Sequence, residues 1–189
     1  MKPHAYIALC IACLSCQQAP PPITLETVTI DSLYAIDLPS NLQPGYDMHD
    51  YASLQYYDME TGFYVLGLED TKEKLGDIKR KRLKLPGYFR FVENTVFERA
   101  DSVGRVGFQS YVNDYGVPLR LGDYYVEGEN WARLPLFYRI AVYENDTYYF
   151  QLVIWMPEEG HCERFTWVDT ITRSFRFLDG SGKVAARRP

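Results

Sequence analysis

Past residue 16 the sequence holds one cysteine, Cys162, and past His4 it holds two histidines, His49 and His161. So few thiols exclude an internal disulfide from the folded part, which must stand on its apolar core alone. There is no G-x-S-x-G, no glycine-rich phosphate loop and no H-E-x-x-H, hence no recognisable nucleophile with its base and no zinc hydrolase signature. A basic excess is missing as well. Lys and Arg number 20 against 25 Asp and Glu, a formal charge of −5, or −6 once Lys2 is discounted. That balance excludes nucleic acid, whose backbone requires a positive footprint. No apolar run reaches the ~20 residues that a membrane-spanning helix needs.

The remaining thiols crowd the opening, MKPHAYIALCIACLSCQQAPPP, where Cys10, Cys13 and Cys16 fall within seven residues. The C-x-x-C spacing would suit a metal or redox site, but no second cluster follows and the surroundings are apolar. A secretory signal accounts for it better, with Lys2 as the positive end, Ala5 to Leu14 as the apolar core and small Ser15 before the break. Cys13-Leu14-Ser15-Cys16 resembles a bacterial lipobox, although Cys13 stands where that pattern usually has Leu. The resemblance implies removal of residues 1–15 and lipidation of Cys16. Acyl chains in pairs anchor stably, at ~0.8 kcal/mol per buried methylene. Residues 16–23 then form a proline-rich tether to the membrane, ahead of a domain over 24–178 and a loose tail over 179–189.

What the chain does have is aromatic side chains, 16 Tyr, 10 Phe and 3 Trp, which suit pleated, half-buried surfaces. Strand-like runs occupy 24–30, 34–38, 52–57 and 63–68. From Thr71 to Leu85 the composition turns helical, with Pro86-Gly87 as the expected stop. A second helix follows, on the stripe Phe89, Val92, Val96, Ala100, with Gly104 and Gly107 closing the helical region. Strands return over 108–112, 119–126, 137–143 and 148–156, the last two joined by Glu144-Asn145-Asp146-Thr147. Both faces of 148–156 are largely apolar, as in a central strand covered on both sides. After Pro157 a last helix runs to about Phe175, with Phe165, Val168, Ile171 and Phe175 on one stripe.

YAIDLPSNL at 34–42, ASLQYYD at 52–58, FYVLGLED at 63–70 and FYRIAVYENDTYYFQLVIW at 137–155 together resemble the Mog1p/PsbP-like group, in particular its small lipoproteins of Bacteroidetes-type bacteria. Thr172-Arg173-Ser174-Phe175 also fits. The resemblance implies an α+β fold, an antiparallel β-sheet sandwiched between helices. It brings no catalytic residues, because these are packing positions and members of the group serve unrelated biology.

Four groups of residues remain as candidates. Asp47 and His49 could offer oxygen and nitrogen to a metal, but a polar loop explains them with less. His161-Cys162-Glu163 invites a reactive-thiol reading; placed three residues before Phe165, Cys162 is expected to be buried and inert. KEKLGDIKRKRLK at 72–84 holds seven basic and two acidic residues. It reads as the solvated face of a helix, with Leu75, Ile78 and Leu85 inward. Its Lys79, Arg80, Lys81 and Arg82 are the strongest charged candidates for an anionic partner. Tyr124, Tyr125 and Trp131, with Phe137 and Tyr138, would line a ligand groove or simply pack across strands. The sequence therefore points to an envelope lipoprotein of the outer membrane, held through Cys16 and facing the periplasm, with the cell surface as the alternative. It would act as a non-catalytic protein-interaction or assembly module without a cofactor. A carrier or sensor of a small apolar or glycan ligand is the alternative. A deep aromatic cavity would favour the carrier, and a flat surface with exposed Tyr the module.

Overall fold

The structure, a computed structural model, describes residues 24–79, 83–127, 134–179 and 184, with the backbone alone at 78 and 79. The signal segment, Cys16 and most of the tether and tail lie outside these residues.

The chain begins with a hairpin, β1 (Leu25–Ile30) and β2 (Tyr34–Pro39). Asp31 and Ser32 turn it, with φ of 46° and 55°, the left-handed pair that matches strand twist in a tight hairpin. Then come β3 (Gln43–Pro44), β4 (Leu54–Asp58) and β5 (Phe63–Thr71), followed by α1 (Lys72–Lys79) and α2 (Leu85–Val96). Four long antiparallel strands follow, β6 (Ser102–Val112), β7 (Pro118–Glu127), β8 (Leu136–Glu144) and β9 (Tyr148–Pro157). A 3-10 turn at Glu158–Gly160 leads into α3 (His161–Ser174), and β10 (Arg176–Phe177) closes the chain.

These strands form a large antiparallel sheet in the order β3-β4-β5-β9-β8-β7-β6 and a small one, β1-β2-β10. The expected central strand, β9, lies between β5 and β8. Alternation sends its Phe150, Leu152 and Ile154 to one face, packed with Ile36, Val168 and Phe175 under α3 and the small sheet. Tyr149 and Val153 go to the other, against Leu75, Tyr88 and Val92 of α1 and α2. Burying each such side chain fully contributes about 1.5–3 kcal/mol, so the two-sided pattern fixes both layers at once.

Several expectations need correction. Pro86-Gly87 does not stop a helix but opens α2, within its first turn. There the missing proline N–H has no intrahelical partner to lose. Ala100 falls beyond α2, and Gly104 and Gly107 sit inside β6, beside a bulge between Arg105 and Gly107. In α3 the buried stripe is narrower than expected: Val168 and Ile171 are fully buried, whereas Phe165 is 40% exposed. The tail returns at one described point, where Val184 bridges Leu178.

Candidate functional site

The register brings five aromatic side chains into one row across five adjacent strands. Tyr57 pairs with Tyr64, Tyr64 with Trp155, Trp155 with Tyr138, and Tyr138 with Tyr124. Tyr64 and Trp155 stack at 5.1 Å with planes 9° apart, and Trp155 and Tyr138 at 6.1 Å with planes 12° apart. The row is buried at one end only. Phe97, just past α2, closes over Tyr124 and Tyr138 at 4.8 and 5.5 Å, while Trp155, Tyr64 and Tyr57 are half-buried.

The open end is framed by a loop held in place by Gln55, whose side chain shares the face of Tyr57. Its Oε1 accepts the Met48 and His49 N–H groups, and its Nε2 donates to the His49 and Ala52 carbonyls. Presented on or near this frame are Tyr46, Tyr51 and Met59, 81, 84 and 72% exposed. Met59 Sδ accepts from Tyr64 Oη at 3.7 Å. Sequence reasoning missed this surface because the row needs the strand order β4-β5-β9-β8-β7, which no local pattern gives.

The sequence-derived candidates are dispersed. Tyr124 and Tyr125 are neighbours on β7 and face opposite sides of the sheet, so they share no groove. Tyr124 Oη donates to Glu93 on α2 at 2.9 Å, and burial with that carboxylate pushes its phenol pKa well up. Tyr125 contacts Phe137 and His161 on the α3 side. Trp131 lies outside the described residues. Asp47 and His49 are exposed. His49 Nδ1 accepts the Tyr51 N–H at 3.2 Å, and among the described residues no three His, Cys, Asp or Glu side chains converge on a metal position.

Of the basic run, Lys79 ends α1, while Arg80, Lys81 and Arg82 lie outside the described residues. Lys72 is engaged, 3.0 Å from Glu144 and over the Tyr149 ring. A depression of about 400 Å³ beside it is lined by Lys72, Glu73, Gly76, Asp77, Asp146 and Thr147. Its charges are mixed, which suits neither an apolar nor an anionic ligand. Cys162 is exposed, not buried as expected, because it stands in the first turn of α3, off the Val168–Ile171 stripe.

Under α3 lies a polar cluster that the sequence did not reveal. Arg139 on β8 is paired with Asp123 on β7 and reaches Asp169 of α3 at 3.5 Å, with Phe165 over its guanidinium. Next to it His161 stacks on Phe137 at 3.9 Å, and its Nδ1 lies 3.2 Å from Tyr125 Oη. Burial lowers the His161 pKa below its ordinary value.

No family model matches the chain, and no curated protein matches it by sequence. Solved structures do. The layers and strand order define the Mog1p/PsbP-like fold. The chain is similar to cyanobacterial PsbP (CyanoP) from Synechocystis, with a TM-score of 0.60 and 12% identity over 87% of this chain and 99% of that one. It is similar to the Ran-binding protein Mog1p of Saccharomyces cerevisiae, with a TM-score of 0.55 and 11% identity over 86% of this chain and 100% of that one. LpqN, involved in cell envelope biogenesis of Mycobacterium tuberculosis, gives a TM-score of 0.50 and 8% identity over 85% and 88%.

Proposed function

We propose that this protein is a non-catalytic interaction or assembly module of the cell envelope, tethered through a lipidated Cys16 to the outer membrane and facing the periplasm. The observation that carries the reading is the open end of the aromatic row, where half-buried Tyr57, Tyr64 and Trp155 lie beside exposed Met59 and the Gln55-braced loop that carries exposed Tyr46 and Tyr51. Tyr, Trp and Met are enriched at protein interfaces, because they offer large apolar contact and the two ring types also offer polar tips. The same rings argue against a carrier of a small apolar or glycan ligand. They fill one another's space by stacking and form a surface rather than a cavity. Two proteins of this fold support the reading by analogy, one described as Ran-binding and one as involved in cell envelope biogenesis. Among the described residues no helix is long and apolar enough to cross a membrane.

Native mass spectrometry on the full chain, extracted from its own envelope in mild detergent, tests this. A stoichiometric protein companion is expected, and the Tyr46→Ser/Tyr51→Ser variant should lose it while melting at the same temperature. A small discrete mass increment, lost on denaturation and indifferent to that variant, would establish the carrier instead. Cys16→Ala should move the protein from the membrane fraction to the soluble one.

A further inference from the structure

The two edges of the large sheet are built differently. One is β3, two residues long and containing Pro44, a short and proline-guarded edge of the kind that resists further pairing. The other is β6, eleven residues long, exposed at all but Gly107 and Tyr111. From Val106 to Val112 it carries no charge and no proline.

The direction of its free hydrogen-bonding groups follows from the β6–β7 turn. The Asn113 N–H donates to the Val117 carbonyl at 3.0 Å, so Asn113 and Val117 form a bonded pair. Val112 lies opposite Pro118, which has no N–H to give, and the register continues Tyr111↔Leu119, Ser110↔Arg120, Gln109↔Leu121, Phe108↔Gly122. Bonded and non-bonded pairs alternate along an antiparallel ladder. Tyr111 and Gln109 therefore bond to β7, whereas Val112, Ser110 and Phe108 turn their N–H and C=O groups to the open edge. Phe108 and Val112 are also 42 and 45% exposed.

This spacing is self-complementary. We infer that β6 pairs antiparallel with β6 of a second copy of this chain about a two-fold axis through Ser110. In that register Ser110 faces Ser110 and each Phe108 faces the other copy's Val112. All three positions are outward-facing on both chains, giving about six N–H···O bonds. The Phe–Val contacts are aromatic–β-branched cross-strand pairs on the α2 face, a favourable combination. No like charges oppose each other between Val106 and Val112. The strand end carrying Arg105, which is paired with Glu93 of its own chain, approaches the turn carrying Asp114 of the other copy, so no like charges meet there either. A partner strand of another protein would satisfy the backbone equally well, but the symmetric fit of Phe108 to Val112 across Ser110 favours a second copy. α2 touches β6 through Phe89 on Phe108 and Glu93 on Arg105 but packs mainly over β7, β8 and β9, and Phe108 stays 42% exposed beside it. This surface lies at the opposite edge of the sheet from the Tyr46–Tyr51 frame, and its test is independent of that reading.

The test uses the full chain with Cys10→Ser, Cys13→Ser, Cys16→Ser and Cys162→Ser, so that any added thiol reports alone. Sedimentation velocity across micromolar concentrations should show a reversible dimer. Ser110→Cys should form a disulfide-linked dimer on mild oxidation, since a bonded pair on the axis has Cα atoms ~5.5 Å apart, within disulfide reach. Gln109→Cys, whose side chain points to the α3 face and whose partner position is Tyr111, should cross-link far less. Ser110→Lys places two like charges on the axis and should weaken the dimer about tenfold or more, with the melting temperature of the dilute protein unchanged. A monomer at every concentration, a dimer indifferent to Ser110→Lys, or equal cross-linking of the two cysteine variants would each overturn the inference.

Discussion

The guanidinium of Arg139 meets the carboxylate of Asp123 in a two-pronged pair, 2.6 Å from Nε to Oδ1 and 2.8 Å from Nη2 to Oδ2, with the arginine only 2% exposed. The two residues are register partners on β7 and β8, so the sheet itself aligns the fork. Removing one partner of such a pair leaves a buried charge uncompensated.

Asp123→Ala is therefore expected to lose about 3–5 kcal/mol. The double variant Asp123→Ala/Arg139→Met should lose much less than the two single losses together, since it buries neither charge. Urea unfolding of the four proteins in the cycle measures this. A loss under ~1 kcal/mol for Asp123→Ala would mean that Asp169 alone suffices for the guanidinium.

His161 should make stability depend on pH. Its pKa in the folded protein is below the ordinary 6.5, first because burial disfavours the imidazolium and also because Arg139 repels it, with Asp123 and Glu158 acting in the opposite sense. Tyr125, Phe137 and Phe165 complete its surroundings. The unfolded chain takes up the proton first as pH falls, so stability should be level above the ordinary value, decline below it, and level again beneath the folded pKa. The urea midpoint should thus fall between about pH 7 and about pH 5 more steeply in the native protein than in His161→Gln. Parallel slopes would show that the carboxylates alone set the decline.

Two glycines should respond to alanine with opposite signs. A Cβ at Gly67 in β5 would stand 2.5 Å from Phe150 Cζ and 3.0 Å from Leu54 Cβ, whereas one at Gly76 in α1 meets nothing within 4 Å. Gly67→Ala should cost about 1–3 kcal/mol through overpacking. Gly76→Ala should add about 0.5–1 kcal/mol through helix propensity. Thermal melts of both variants check the pair.

Cys162 should react with a thiol reagent in the native state as fast as after unfolding, within a few-fold, because it is exposed at the start of α3. Protection by orders of magnitude would place it inside the core after all.

The fold was legible where one local period decides. The two-sided β9, the hairpin through Asn145 and the strands at 24–30 and 34–38 each follow from alternation and turn chemistry. What failed did so for physical reasons. Pro86 marks the first turn of a helix as readily as a break, and Gly104 and Gly107 serve a twisted, bulged edge strand as well as a helix end. Cys162 shares a helix with Val168 and Ile171, yet it stands half a turn out of phase with Ile171, which puts it outside. The aromatic row could not be read at all, since Tyr57 and Tyr124 become parts of one surface only through strands β5, β9 and β8 between them.

The small sheet also imposes an order in time. β2 has β1 on one side and β10 on the other, with Tyr34 opposite Phe177 and Ala35 opposite Arg176. The hairpin can close as soon as Tyr34 to Pro39 leave the ribosome, but the second side of β2 waits for Arg176 and Phe177, about 140 residues later. Until they arrive the apolar bed beneath α3 is open, so a nascent chain exposes apolar surface rather than presenting a partly finished domain. Truncation after Ser174 would make that waiting state permanent.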